Sequence, residues 1–339
     1  MYVFAFTINK KATPPLRGEL KLKRKTFLQQ QKKKPTQFRD LYSTKKNGST
    51  HHLVIIHHLV IIFPFSPFHR HYHFAATTIS DHVHGKIRAK HSQGQGGPHH
   101  GYYRHWQVAL SVDLANHFSG EIINSHKMQV YSGIEIATNL IPLNDQGGVP
   151  HHLLGDFRPE DGELTPGEFR SLATLSIAEV VSRGKLPIVV GGSNSFNHAL
   201  LAERFDPTID PFAPSSSLST ICADRRYNCC IFWVDVSEPV LFQHLRNRVD
   251  KMIDSGLFEQ LAAFYDPIVD LGPRLGVRKT IGVEEFDRYF RVYPRERNTG
   301  VWDSGRKAAY EEAVKGMKER TCMLVKKQKE KIIKLIRGG

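Results

Sequence analysis

Lys185-Leu186-Pro187-Ile188-Val189-Val190-Gly191-Gly192-Ser193-Asn194-Ser195 decides the fold. An unbroken apolar run ends in two glycines, and residues 196–204 resume with helical spacing. A run without polar alternation suits a strand buried on both faces, as in a parallel sheet covered by helices. Similar units lie on either side. Upstream, Val108, Leu110, Val112, Leu114, Ala115 and Phe118 recur at helical spacing, Gly120 is expected to end that helix, and 121–124 is a short strand. Helix 166–183 follows, opened by Thr165 with Glu168 three residues on and closed by Gly184. Downstream, 230–236 is another buried strand, and Ser237-Glu238-Pro239 starts a helix. Stretches 257–265 and 306–336 are helical, the last strongly charged and expected to be an exposed terminal element. Strand and helix in alternation predict an α/β fold with a parallel sheet and flanking helices.

The first hundred residues differ from the rest. They carry 17 Lys or Arg against three acids, so they hold the whole formal charge of +14, and residues 101–339 are balanced. They also carry 12 of the 19 histidines and a tandem repeat, His51 to Ile56 copied as His57 to Ile62. Low complexity, the Lys32-Lys33-Lys34 run and the Gly/His/Gln-rich linker 92–103 predict a disordered basic leader over 1–106. Such a leader is a solvated tail rather than a nucleic-acid arm, and its histidines lack a carboxylate or thiol to complete a metal site. Cys222, Cys229, Cys230 and Cys322 form no CxxC pair, which points to a reducing compartment. No apolar run reaches the roughly 18 residues of a membrane span.

Three segments fall where an α/β sheet places ligands, after the carboxyl ends of strands. They are Asn124-Ser125-His126-Lys127-Met128-Gln129-Val130-Tyr131, Val149-Pro150-His151-His152-Leu153-Leu154-Gly155 and Val190-Gly191-Gly192-Ser193-Asn194-Ser195. The last offers backbone N–H groups and hydroxyls to an anion, or is turn chemistry alone.

Together with Thr138-Asn139, Trp233-Val234-Asp235, Leu245-Arg246-Asn247-Arg248-Val249-Asp250-Lys251-Met252 and Gly276-Val277-Arg278-Lys279-Thr280-Ile281-Gly282, these segments resemble, in order, the isopentenyltransferase family. The likeness spans about 110–290, and Gly-Gly-Ser-Asn-Ser looks like its adenylate-using plant branch. The resemblance implies a P-loop-NTPase-like parallel sheet over 107–290, a small helical insertion around 240–275, and a C-terminal helical segment over 291–339. It implies transfer of a dimethylallyl group from its diphosphate to N6 of an adenine nucleotide, with Mg²⁺ bridging phosphate oxygens. His126, Thr138 and Arg248 match catalytic positions. Asn124, Ser125 and Gln129 would position the adenine or the base, Gly191, Gly192, Ser193, Asn194 and Ser195 would line the phosphate side, and Arg278 and Lys279 would meet the leaving group. Arg246 and Arg248 lie two apart on a helix and cannot share a face, and Arg248 is the expected ligand. The expected partners are an adenine nucleotide and dimethylallyl diphosphate, the expected state a monomer, and the expected location the plastid, with cytoplasm or mitochondrion as alternatives.

Two departures bear on activity. The family's G-x-T-G-x-G-K-S loop has no counterpart, since Gln107 and Val108 stand at its Lys and Ser/Thr positions and no apolar strand immediately precedes them. The first strand of the sheet is thus expected to be missing, leaving its neighbours with unpaired backbone groups. His126 stands where the family has an Asp that accepts the amine proton. Imidazole can serve as a base, but loss of the carboxylate charge is expected to cost about 3 kcal/mol or more of transition-state stabilisation. A tRNA dimethylallyltransferase and an inactive relative that still binds an isoprenoid diphosphate remain the alternatives.

Overall fold

The computed structural model describes residues 2–8, 58–62, 106–214, 216, 220–222, 224–268, 273–294 and 302–338. All belong to one of the two compact units into which the chain divides; the other, 10–52, lies outside the described residues. The linker 92–103 and most of the leader lie outside them as well.

In chain order the elements are β1 (Tyr2–Ile8), β2 (His58–Ile62), α1 (Trp106–His117), β3 (Gly120–Asn124), α2 (Glu135–Thr138), β4 (His151–His152), α3 (Pro166–Ser182) and β5 (Leu186–Gly191). They continue as α4 (Asn194–Leu201), β6 (Cys229–Asp235), α5 (Glu238–Asp254), α6 (Leu257–Phe264), α7 (Val283–Val292) and α8 (Ser304–Gly338). One six-stranded sheet runs β1-β6-β2-β5-β3-β4. β3 pairs in parallel with β4 and β5, as the alternation of strand and helix requires.

Two strands from the leader join this parallel core. β2, drawn from the second copy of the repeat, lies between β5 and β6 and pairs antiparallel with both, while β1 pairs antiparallel with the outer side of β6. The sheet is therefore mixed, and the slot for a missing strand is filled. β5 is apolar throughout and β6 is apolar up to its last residue, Asp235, so an empty slot between them would strand buried N–H and C=O groups. The Leu59-Val60-Ile61-Ile62 run of β2 is apolar at every position, as a central strand must be, and supplies the missing partners.

Both sheet faces are covered. Ile123, Val189, Ile231 and Trp233 pack in one core with Phe169, Phe196 and Phe286, while Ile122, Ile188, Val190, Cys230 and Phe232 pack in another with Leu110 and Leu114 of α1. The period of two along each strand assigns neighbours to opposite cores. Gly120 does not end α1. Ser119 takes the left-handed turn at φ 51°, and Gly120 begins β3, where a Cβ would sit 2.8 Å from the Leu186 carbonyl oxygen. The α8 helix is not an exposed terminal element either: Ala313, Met317, Cys322, Val325, Ile332 and Leu335 are buried, and the charges occupy its other side.

The start of α3 follows the sequence. Thr165 Oγ1 accepts from the Glu168 N–H at 3.2 Å and Glu168 Oε2 accepts from the Thr165 N–H at 2.8 Å. Thr165→Ala is expected to lower stability by about 1 kcal/mol, read from the midpoint of urea unfolding, and a loss below about 0.3 kcal/mol would show the box to be idle.

Candidate active site

The carboxyl ends of β3 and β5 open on a cavity of about 350 Å³. Asn124, His126, Gln129, Thr138, Gly192, Ser193, Arg248 and Lys279, all singled out in the sequence, line it. Ser125, Gly191, Asn194, Ser195 and Arg278 do not. Arg278 instead lies over the Phe264 ring, 4.5 Å from its centroid. Asn194 donates through Nδ2 to the Gln328 carbonyl, tying α4 to α8, and Ser195 Oγ faces Ser193 Oγ at 3.3 Å.

The loops after β3 and β5 are fastened to each other. The Ser125 N–H donates to the Val190 carbonyl at 2.8 Å, the Ser193 N–H to the Ser125 carbonyl at 3.3 Å, and the Gly192 N–H to His126 Nδ1 at 3.3 Å. The Gly192 and Ser193 N–H groups are thus engaged within the protein, so the phosphate cradle expected of Gly-Gly-Ser is occupied by the neighbouring loop. Asn124 is engaged too: Nδ2 donates to the Leu153 carbonyl at 2.8 Å and Oδ1 accepts the His126 N–H at 3.0 Å. It braces the loop rather than presenting its amide to a ligand. Gly191 must be glycine, because a Cβ there would lie 2.3 Å from both the carbonyl carbon and Oγ of Ser125. Gly191→Ala is expected to cost about 2–3 kcal/mol by prising the two loops apart, measured by thermal unfolding; an unchanged midpoint would refute the contact.

Cations gather on one side. Arg248 is enclosed enough for burial to push its pKa down to about 10, which leaves it protonated at neutral pH. No carboxylate among the described residues forms an ion pair with it, and Arg246, two positions earlier, is exposed as helix geometry requires. Lys127 and Lys279 each reach Glu163 at 2.5 Å, one carboxylate between two ammonium groups. Burial pushes the Glu163 carboxyl up, but both lysines outweigh it and hold the pKa below the usual range. The trio therefore keeps one net positive charge beside that of Arg248. Thr138 Oγ1 donates to the Ile134 carbonyl at 3.2 Å, so it offers the cavity lone pairs.

The family model described as IPP transferase matches residues 129–220 and 208–330. This chain belongs to the IPP transferase family. Adenylate isopentenyltransferase 6, chloroplastic, of Arabidopsis thaliana is 79% identical over 231 residues, 68% of this chain and 68% of that protein. Adenylate isopentenyltransferase 1, chloroplastic, of the same plant is 58% identical over 231 residues, 68% of this chain and 64% of that protein. The adenylate isopentenyltransferase of Humulus lupulus is 50% identical over 239 residues, 68% of this chain and 72% of that protein. The chain thus spans about two thirds of the length of these relatives. A crystal structure of a tRNA delta(2)-isopentenylpyrophosphate transferase from Staphylococcus epidermidis superposes with a TM-score of 0.52 at 21% identity, covering 67% of this chain and 86% of that one. At that identity the likeness speaks for the fold.

In this IPP transferase several cavity residues carry no strong sequence signal. Lys127 and His151 sit inside the quoted segments without standing out. Glu163, the partner of the cavity lysines Lys127 and Lys279, lies in none of them. Met317, Thr321, Leu324, Val325 and Gln328 come from α8 at helical spacing, i, i+4, i+7, i+8 and i+11, and form one wall. That spacing was legible, but the flanking lysines hid it. A second cavity of about 310 Å³, around His198, Arg204, Phe205 and Cys222, contains none of the candidate site residues.

Proposed function

We propose that this IPP transferase transfers the dimethylallyl group of dimethylallyl diphosphate to N6 of an adenine nucleotide, AMP, ADP or ATP, the entry reaction of cytokinin synthesis. The observation that carries the proposal is Arg248, a half-buried cation without an ion-pair partner among the described residues, in the wall of a cavity that also holds apolar side chains. A leaving diphosphate gathers negative charge as its C–O bond breaks, and a preorganised cation in a poorly solvated site stabilises that charge most effectively. Lys127 and Lys279 add to it from the opposite lining segments. Leu245, Val249, Met252 and Met317 offer a surface for the prenyl carbons, sheltering a developing allylic cation from water.

Among the described residues, no three of His, Cys, Asp and Glu group to hold a metal ion. The protein side therefore does not fit a Mg²⁺ ion of its own, and the ion would arrive on the diphosphate oxygens, where it neutralises charge. With Gln107 and Val108 at the loop positions, Arg248 and the lysines carry more of the diphosphate load than in a chain with the full loop, so turnover is expected to be slow. Among the described residues no helix is long and apolar enough to cross a membrane. Two of the relatives compared above are named chloroplastic, which supports the plastid as the location.

The test is incubation of the full chain with dimethylallyl diphosphate, Mg²⁺ and AMP, ADP, ATP or unmodified tRNA, with products identified by mass spectrometry. An isopentenyladenine nucleotide is the expected product. Modified tRNA alone would favour the tRNA-directed activity, and no product from any acceptor would leave an inactive relative.

A further inference from the structure

Two histidines border the cavity, and their hydrogen bonds give them opposite characters. His126 Nδ1 accepts the Gly192 N–H at 3.3 Å. A neutral imidazole that accepts at Nδ1 carries its proton at Nε2, so His126 is a donor at the nitrogen remote from the loop. His151 is the reverse. Its Nδ1 lies 2.8 Å from the Val149 carbonyl, which can only accept, so Nδ1 holds the proton and donates. That leaves Nε2 a bare acceptor, buried and without a partner among the described residues. Burial also lowers the His151 pKa, with the bond to Val149 opposing and nearby His152 adding to the fall, so the ring stays neutral.

Gln129 repeats the pattern. Its Nε2 donates to the Asn139 carbonyl at 2.7 Å, which fixes the amide orientation and leaves Oε1 buried without a partner among the described residues. Both side chains line the cavity, and both stem from the β3 edge: Gln129 from the turn after β3, His151 from β4, which pairs alongside at Ile122. A buried acceptor without a donor costs about 1–3 kcal/mol, so these two pure acceptors, in a cavity whose lining also holds the unpartnered Thr280 hydroxyl, mark a place built for a ligand that brings two donors. A primary amine on an aromatic ring has that form.

We propose that Gln129 Oε1 and His151 Nε2 receive the exocyclic amine of the purine, and that His151 rather than His126 accepts its proton. This rests on the transferase function proposed above. In the step, the bond from N6 to the allylic C1 forms as the C1–O bond breaks. The diphosphate leaves with that electron pair, and the N6 proton passes to His151 Nε2, giving an imidazolium whose Nδ1–H still bonds Val149. His126, already protonated at Nε2, is a donor in the same cavity. A 6-oxo purine would set its oxygen lone pairs against both acceptors and is disfavoured.

The test compares AMP with inosine monophosphate by isothermal titration calorimetry on the full chain in the presence of inorganic diphosphate and Mg²⁺, so that binding is read without turnover. The unaltered protein is expected to prefer AMP by about 10- to 100-fold, the loss expected when buried polar groups face the wrong partner. In His151→Phe the preference is expected to fall to within about threefold while diphosphate affinity is kept, and His151→Gln is expected to restore part of it. Thermal unfolding of each variant shows whether it is folded, and the Gln variant serves if the Phe variant is not. Preference retained in both His151 variants but lost in His126→Phe would overturn the assignment and leave the transferase function standing. Binding of neither nucleotide by the unaltered protein would overturn both.

Discussion

Arg248→Gln is expected to weaken binding of inorganic diphosphate by roughly 100-fold, about 2.7 kcal/mol, the scale of losing a charge-assisted hydrogen-bonding pair in a desolvated site. Arg246→Gln, on the exposed side of α5, is expected to change it by less than about twofold. Stability should move the other way. Burial has already pushed the Arg248 pKa down to about 10, and no described carboxylate pairs with it, so the fold bears the desolvation of a charge that only a ligand relieves. The Gln variant is therefore expected to unfold at an equal or higher temperature while binding worse, the trade common at functional sites. Calorimetry and thermal unfolding on one preparation check both signs. A variant that binds diphosphate normally, or that loses binding only by unfolding, would remove Arg248 from the site.

Phe286→Ala is expected to cost about 3–5 kcal/mol, the range for deleting a fully buried aromatic ring. Phe286 has no exposed surface and stands at the centre of a ring cluster, 5.7 Å from Phe258, 5.9 Å from Phe290 and 5.8 Å from Tyr310 between centroids. These rings join α6, α7 and α8, and α8 also supplies the cavity wall at Met317, Leu324 and Val325. The substitution should therefore lower the midpoint of urea unfolding and loosen substrate binding together. A loss below about 1 kcal/mol would show that the cluster repacks around the void.

Much of the site was legible because the family segments fall just after strands β3 and β5, where an α/β sheet concentrates its ligands. Position along the chain did not settle what each side chain does. Asn124, Gly192 and Ser193 look like ligand groups in sequence, yet Gly192 and Ser193 spend their N–H groups joining the β5 loop to the β3 loop, and Asn124 ties the β3 loop to Leu153. Gln129 combines both roles, bracing through Nε2 and leaving Oε1 available. Which atom of a polar group is engaged depends on partners 10 to 66 positions away, and no local pattern records them.

The sequence by itself determined the strand and helix alternation and the capped start of α3. These follow from short-range rules: the period of two in strands, 3.6 in helices, and the small set of residues that fit caps. Only the tertiary structure decided that a repeat in the leader becomes the central strand β2, that α8 closes the cavity, and that Glu163 joins Lys127 to Lys279. Each depends on long-range pairing. A six-residue apolar repeat becomes a strand when β5 and β6 present unpaired backbone groups on both sides, a charged helix is half-buried when its apolar stripe meets a core, and a lone glutamate acquires meaning when two ammonium groups from distant segments converge on it.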